Sequence, residues 1–160
     1  MKEQLHRFLR GFGYAAKGIA RAVREERNLR FELCAGAYVL LFAPFYRFDR
    51  TQWALLCVLI AGVLALELVN SAVERAVDRP APAHWAAAGA AKDMAAGAVL
   101  VFCAGAAVCG VLLLWDRAAF ARMGTFFAAH PAAIAALAAS LAAAVRFVFG
   151  RRDSRNVPPR

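Results

Sequence analysis

The sequence predicts an all-α integral membrane helical bundle. Of its 160 residues, 62% are hydrophobic, and they fall in long blocks rather than at the mixed spacing of a soluble core. The blocks cover roughly residues 31–45, 53–77, 94–115 and 131–149, whereas a spanning helix needs about 20 apolar residues. Basic residues are concentrated in alternate connecting segments. We therefore expect an N-terminal amphipathic surface helix, three core transmembrane helices and a fourth C-terminal transmembrane helix.

The first thirty residues have their own pattern. Apolar side chains recur at helical spacing and basic side chains occupy the positions between them. The apolar positions are Leu5, Phe8, Leu9, Phe12, Ile19 and Val23. Such a pattern is typical of an amphipathic helix that lies on a membrane surface. The charged run at residues 24–28 then predicts a turn into the first span.

The four apolar blocks differ in length and in hydrophobicity. The first reaches spanning length if its helix begins near Asn28 and runs to Phe48, with Arg30 and Glu32 at the water interface. The fourth is mostly alanine and is therefore less apolar than a leucine-rich span. We divide the chain into a surface helix and turn at 1–30, a three-span core at 31–116, and an extra segment at 117–160 with the fourth span and a basic tail.

The basic residues predict the topology. Eight Lys or Arg lie in residues 1–30, three between Arg75 and Lys92, and five from Arg146 onward, while the two other connections hold two each. Placing the three rich segments in the cytoplasm gives sixteen inside against four outside, as the positive-inside rule requires. The net charge of +9 thus reflects topology and favours anionic lipid headgroups as partners. It does not favour nucleic acid.

A polar stripe marks the second span. Glu67, Asn70, Glu74 and Asp78 step by three, four and four residues, which places them on one face of a helix. Inserting an ionised carboxylate near the bilayer centre costs roughly 2.5–3.5 kcal/mol, so such groups usually face a bundle interior and mark a functional site. The predicted topology puts this face in the inner half of the bilayer, open to the cytoplasm.

The stripe fits several chemistries. Mg²⁺ usually takes one or two carboxylates together with substrate phosphates, Lys92 and Arg7 could neutralise phosphate charge, and a buried carboxylate could act as a general base. A Mg²⁺-nucleotide site built from helix ends is one interpretation, because the sequence has no phosphate-binding glycine loop. A cation- or proton-coupled transporter is a second. Carboxylate–arginine pairs that hold an oligomer together are a third.

The residues of the stripe also resemble a known signature. Glu67-Leu-Val-Asn70-Ser-Ala-Val-Glu74-Arg-Ala-Val-Asp78, with Lys92-Asp93 after a short loop, is similar to the prokaryotic diacylglycerol kinase and undecaprenol kinase family. The similarity extends from about residue 5 to about residue 115. It implies a homotrimer with active sites between subunits, in the bacterial inner membrane and facing the cytoplasm, where Mg²⁺ and ATP serve to phosphorylate a membrane lipid alcohol.

The resemblance also implies roles for individual residues. Glu67 would be the general base, with Asn70 orienting the reacting groups. Glu26 and Glu74 would hold the metal ion and, with it, the nucleotide. Asp78 and Glu32 would support the site. The remaining ATP contacts would be Arg7, Tyr14, Lys92 and Asp93.

Two departures from the family pattern stand out. Where many members carry a Glu, an aromatic residue and a His, this chain reads Ala83-His84-Trp85, and the block from about Pro131 is extra to the three-span core. The turn at residues 25–28 and the run at 95–99 resemble undecaprenol kinases more than diacylglycerol kinases. We therefore expect undecaprenol as substrate, with diacylglycerol as the alternative.

Overall fold

A computed structural model describes residues 2–78 and 86–150 of the chain. This part consists of six α-helices and one short 3₁₀ helix. The helices are α1 Lys2–Glu25, α2 Arg27–Phe42, α3 Arg50–Val77, α4 Ala86–Leu114, α5 Arg117–Ala129 and α6 Pro131–Phe149, with the 3₁₀ helix Ala43–Tyr46 after α2. The Ala83-His84-Trp85 departure and the basic tail lie outside the described residues, so the expectations about them stay predictions.

Four of the described helical segments are long and apolar enough to cross a membrane. They are Arg27–Tyr46, Arg50–Val77, Ala87–Leu114 and Pro131–Phe149. The predicted all-α membrane bundle is thereby confirmed, and the fourth block forms a helix that is long and apolar enough to be a span. With 28 residues, α3 is about 42 Å long, whereas the hydrocarbon core is about 30 Å thick. A helix of this length crosses the core by tilting or by extending its ends into the headgroup region. The division of the chain into three segments stays a prediction.

Local side-chain bonds fix where two of the helices begin. The Asp49 carboxylate accepts a hydrogen bond from the Gln52 backbone N–H at 2.8 Å, and the Gln52 side chain accepts one from the Asp49 N–H at 3.0 Å. This reciprocal pair is a capping box. At α5, the Ala118 N–H donates to the Asp116 carboxylate at 2.8 Å, and this bond holds the pKa of Asp116 below its ordinary value.

Small residues allow the core helices to approach closely. Gly62 of α3 lies under the ring of Phe102 of α4, so that a Cβ atom at this position would overlap the ring. Gly36 of α2 faces Ile60 of α3, and an added Cβ would come within 2.9 Å of the Ile60 side chain. Such small faces are typical of tightly packed membrane helices. They bring α2 and α4 against opposite parts of α3, which carries the polar stripe.

Helices α5 and α6 form a hairpin that docks on α2 and the 3₁₀ helix. The sequence did not predict α5, which is too short to span a membrane and lies between two apolar blocks. Arg122 Nε of α5 donates to the Phe45 carbonyl at 2.6 Å, and Tyr38 Oη donates to Ser140 Oγ of α6 at 3.0 Å. Aromatic rings pack around the first of these bonds. They belong to Phe42, Phe45, Phe126 and Phe127.

Arg30 is the junction of three helices. The expectation that it lies at the water interface is wrong, because the residue is only 1% exposed. Its guanidinium donates to the Val23 and Arg24 carbonyls at 3.2 and 3.0 Å, and twice to the Val148 carbonyl at 3.1 and 3.3 Å. These carbonyls belong to the last turns of α1 and α6, where intrahelical donors are missing. Arg30 thus joins the ends of α1 and α6 to the start of α2.

The surface helix α1 presents an unpaired apolar side. Phe8, Leu9, Phe12 and Ile19 are each more than half exposed, and the Phe8 and Phe12 rings contact each other edge to face at 5.0 Å. An exposed apolar face on a long basic helix agrees with the predicted placement on a membrane surface.

Candidate active site

The polar stripe on α3 is turned into the bundle. Glu67 is 4% exposed and Asn70 is 8% exposed, and Ser71 beside them is also buried. Burial on one helical face is what the spacing of the stripe predicts. A carboxylate and an amide at this depth stay buried only where the protein supplies polar surroundings.

Asn70 connects the buried part of the stripe to its open end. Its Nδ2 donates to Glu74 Oε1 at 3.3 Å, one helical turn further along. Within the described residues, the other atom of the amide, Oδ1, is buried without a hydrogen-bond partner. A buried amide oxygen without a donor is uncommon in folded proteins. It indicates a place where a ligand or water would donate a hydrogen bond.

Glu26 reaches the same region from the turn between α1 and α2. It is the one residue between these two helices, with an extended backbone (φ −98°, ψ 119°), and its side chain does not cap α2. Instead, Arg75 of α3 donates to Glu26 Oε1 at 2.9 Å and contacts Glu25 Oε2 at 2.7 Å. The carboxylate of Glu26 is therefore directed toward the end of α3.

A small acidic cavity lies between this turn and α3. Its volume is about 270 Å³, and its lining residues are Glu25, Glu26, Glu74, Arg75 and Asp78. Four carboxylates and one guanidinium thus share a space that suits a cation and part of a phosphate chain. The cavity continues the stripe, because Glu74 belongs to both.

The beginning of α4 joins the site through an ion pair. Lys92 Nζ lies 2.8 Å from Asp78 Oδ1, and both side chains are partly exposed. Asp93 is the next residue and is exposed to solvent. The ion pair thus brings Lys92, in the second turn of α4, to the end of α3.

Three other predicted residues lie further from the cavity lining. Arg7 and Tyr14 are exposed on α1, and Arg7 pairs with Glu3 at 3.4 Å. Glu32 lies on α2, where its charge interacts with that of Glu67, and its Oε2 atom has no hydrogen-bond partner within the described part of the chain. The nucleotide role of Arg7 and Tyr14 stays a prediction.

Over residues 13–114, the sequence matches the family described as prokaryotic diacylglycerol kinase. The chain belongs to this family. All the site residues discussed above except Arg7 fall within the matched range. The family assignment favours phosphoryl transfer over the transporter interpretation.

Individual members of the diacylglycerol kinase family show the same match. The undecaprenol kinase of Bacillus subtilis (strain 168) is 38% identical over 116 residues, which cover 72% of this chain and 94% of that protein. The diacylglycerol kinase of Escherichia coli (strain K12) is 32% identical over 111 residues, or 69% of this chain and 91% of that protein. The α5–α6 hairpin lies beyond the range matched to the family.

The structure adds to the candidate site two residues to which the sequence analysis assigns no role. Arg75 and Glu25 line the cavity and pair with each other. The sequence does indicate a counterion, because several neighbouring carboxylates require a compensating cation and Arg75 directly follows Glu74. The pairing itself depends on how the α1–α2 turn packs against α3, which helical periodicity does not specify.

Proposed function

We propose that this protein transfers the γ-phosphate of ATP to the hydroxyl group of a membrane lipid alcohol, with undecaprenol preferred over diacylglycerol. One observation carries the proposal. A row of buried Glu67, buried Asn70 and half-buried Glu74 leads from the apolar interior of the bundle to an acidic cavity at the helix end. A lipid hydroxyl approaches such a row from the bilayer, and a nucleotide approaches it from water.

Glu67 is the proposed general base. It takes the proton of the lipid hydroxyl while the hydroxyl oxygen attacks the γ-phosphorus, and the bond from that phosphorus to the β–γ bridging oxygen breaks to release ADP. Glu67 and Glu74 are seven residues apart, which is about 10 Å along the helix. This separation leaves room for a phosphoryl group between base and metal ligand. Asn70 lies between them and orients the reacting groups through its Oδ1 atom, which accepts no hydrogen bond from the described residues.

Mg²⁺ fits the donor set if the nucleotide supplies the other ligands. Glu26 and Glu74 line one cavity from two different elements. Within the described ranges 2–78 and 86–150, no three His, Cys, Asp or Glu side chains lie close enough together to hold a metal ion by themselves. Mg²⁺ usually keeps waters and takes only one or two carboxylates together with phosphates. When bound, the ion would neutralise charge on the transferred phosphate.

Positive side chains complete the proposed nucleotide site. Lys92 stands at the mouth of the cavity through its pair with Asp78, and an ammonium group there can bind a phosphate oxygen. We propose Asp93, Arg7 and Tyr14 as further ATP contacts. Phosphoryl transfer depends mainly on positioning and charge neutralisation, so a small helical scaffold suffices.

We further propose a homotrimer in the bacterial inner membrane, with the site facing the cytoplasm. Apolar side chains of α4, such as Leu100, Val108 and Leu112, are more than 60% exposed in the single chain. A neighbouring copy or lipid must cover them. The basic segments at both ends of the chain support a cytoplasmic placement and contact with anionic headgroups.

A radiolabelled ATP assay tests the function. Purified protein receives undecaprenol and diacylglycerol together, and label is expected mainly in undecaprenyl phosphate. Glu67→Gln removes the base but keeps the size of the side chain, so kcat should fall by at least about 10²-fold, the lower range for general-base catalysis. Ser71→Ala is the matched control, because Ser71 is buried beside Glu67 and has no proposed role.

Three results would contradict parts of the proposal. Phosphorylation at the wild-type rate by well-folded Glu67→Gln protein would remove Glu67 from the base role. Ion flux in sealed vesicles without nucleotide consumption would instead support a transporter. Label mainly in phosphatidic acid would retain the kinase and reverse the substrate preference.

A further inference from the structure

Arg75 holds the carboxylates that the proposed metal site needs. Its two terminal nitrogens contact different residues: Nη1 lies 2.7 Å from Glu25 Oε2, and Nη2 lies 2.9 Å from Glu26 Oε1. It thereby joins the end of α3 to the α1–α2 turn. Both contacts have the short distances of charge-assisted hydrogen bonds.

These contacts neutralise an otherwise repulsive cavity. Glu25, Glu26, Glu74 and Asp78 line the same 270 Å³ space, and the Glu26 side chain is only 8% exposed. Bringing carboxylates together in partly buried surroundings is unfavourable unless a cation compensates them. Arg75 supplies a full positive charge within hydrogen-bond distance of two of the four.

The same contact competes with metal binding. An oxygen atom of Glu26 that accepts a hydrogen bond from Arg75 cannot also offer that lone pair to a cation, and a guanidinium next to the site repels a divalent ion. Arg75 itself is 37% exposed, so its guanidinium has space to move into the cavity that it lines. A guanidinium released from a carboxylate there would face the phosphates of a bound nucleotide, which it binds well.

We propose that Arg75 is a positioning residue with two partners. In the nucleotide-free protein its guanidinium takes the place of the metal ion beside Glu26, and when Mg-ATP binds, the guanidinium moves to the nucleotide phosphates. This inference rests on the proposed function, because it takes Glu26 as a metal ligand. It goes further in making cation binding and nucleotide binding interdependent. Free divalent ions bind poorly because Arg75 occupies Glu26, whereas the metal–nucleotide complex provides a new partner for Arg75.

Binding of Mn²⁺ to the nucleotide-free protein tests the first half of the proposal. Mn²⁺ is measured by electron paramagnetic resonance on purified full-length protein in uncharged detergent. Arg75→Met should bind Mn²⁺ roughly tenfold more tightly than wild type, a change of about 1.4 kcal/mol. Arg27→Met is the matched control. It removes an equal charge from the same turn, but the Arg27 guanidinium lies over the Phe149 ring, 5.8 Å from its centroid, and its loss should change the affinity much less.

Nucleotide binding tests the second half. Because Arg75→Met loses a phosphate partner, the KM for Mg-ATP should rise about tenfold while the KM for the lipid alcohol stays unchanged. Arg75→Lys keeps the charge but has one ammonium group instead of a fork, and we expect intermediate values of both the Mn²⁺ affinity and the KM for Mg-ATP. The Lys variant also provides a test if the Met variant does not fold.

The outcomes separate this inference from the proposed function. Unchanged Mn²⁺ affinity in both Arg75 variants would show that the Arg75 guanidinium does not take the place of the metal ion. An unchanged KM for Mg-ATP would show that the guanidinium does not move to the phosphates. Glu26→Gln distinguishes the two levels. If it leaves the Mg²⁺ dependence of the reaction unchanged, the metal assignment under the proposed function fails, whatever Arg75 does.

Discussion

Arg30 shows how a charged side chain can be buried without a carboxylate partner among the described residues. The guanidinium makes four hydrogen bonds to three backbone carbonyls, and all three lie at C-terminal helix ends. Such ends carry a partial negative charge because their carbonyls lack intrahelical donors. One side chain thus satisfies acceptors of α1 and α6 and receives electrostatic compensation from both.

Removing this guanidinium should destabilise the protein strongly. Arg30→Met retains much of the apolar stem but leaves three carbonyls without their donor, and each unsatisfied buried group costs about 1–3 kcal/mol. We expect a loss of at least about 3 kcal/mol in the free energy of unfolding. Thermal or denaturant unfolding in detergent measures it, with exposed Arg27→Met as control. Equal stability of the two variants would mean that the hydrogen bonds of Arg30 contribute little to the free energy of unfolding.

Sequence reasoning could identify the α3 stripe and could not identify its counterions. The spacing of Glu67, Asn70 and Glu74 depends only on helical periodicity, which holds wherever a helix forms. The partners of Glu26 and Arg30 depend on how separate helices pack, and several arginines near the turn could have served equally well. The sequence predicts Arg30 at the water interface because a basic residue at the end of an apolar block usually contacts water or headgroups.

At the scale of helices, the α3–α4 pair depends on a missing side chain. Gly62 lies against the Phe102 ring with no space for a Cβ atom. The contact sets how closely α4 approaches α3, and α4 carries Lys92 to its pair with Asp78. Close packing in the middle of the membrane and the geometry of the proposed nucleotide site are therefore linked.

Substituting Gly62 should separate these helices. Gly62→Val places a branched side chain against the ring, and overpacking of this kind costs about 1–3 kcal/mol. We expect lower thermal stability together with a raised KM for Mg-ATP, because Lys92 moves with α4. Gly124→Ala in α5 is the control, since a Cβ atom there meets nothing within 4 Å. Unchanged stability in Gly62→Val would show that α4 adapts without cost.

The helices themselves could be predicted unequally well. Residues 131–149 were expected as a span from composition alone, and α6 occupies that range. Helix α5 was missed because its 13 residues are too few for a span and contain Arg117 and Arg122 among apolar residues. The docking of α5 on the 3₁₀ helix through Arg122 involves residues distant in sequence, and no local pattern indicates it.

At the scale of the whole molecule, the contact between Arg30 and Val148 bears on topology. It places the C-terminal end of α6 beside the N-terminal end of α2. Both ends therefore lie at the same membrane surface, together with the α1–α2 turn and the acidic cavity. Four spans with both chain ends in the cytoplasm satisfy this contact and the distribution of basic residues.

Reporter fusions test this topology. Green fluorescent protein attached after residue 160 should fluoresce in bacterial cells, because it folds to its active form on the cytoplasmic side of the inner membrane. Alkaline phosphatase at the same position should be inactive, because it folds to its active form only on the opposite side. A fusion that ends after residue 116, between α4 and α5, should give the reverse pattern. Active phosphatase after residue 160 would exclude the fourth crossing.

The α5–α6 hairpin lies along α2 and thereby shields one flank of the helix that carries Glu32 and faces Glu67. A long-chain alcohol diffusing sideways within the leaflet is kept from that flank by protein. If Glu67 is the base, as proposed, the acceptor would reach it from a side that α6 does not cover. The C-terminal extension, although outside the range matched to the family, would thus close one of the directions from which an acceptor could approach.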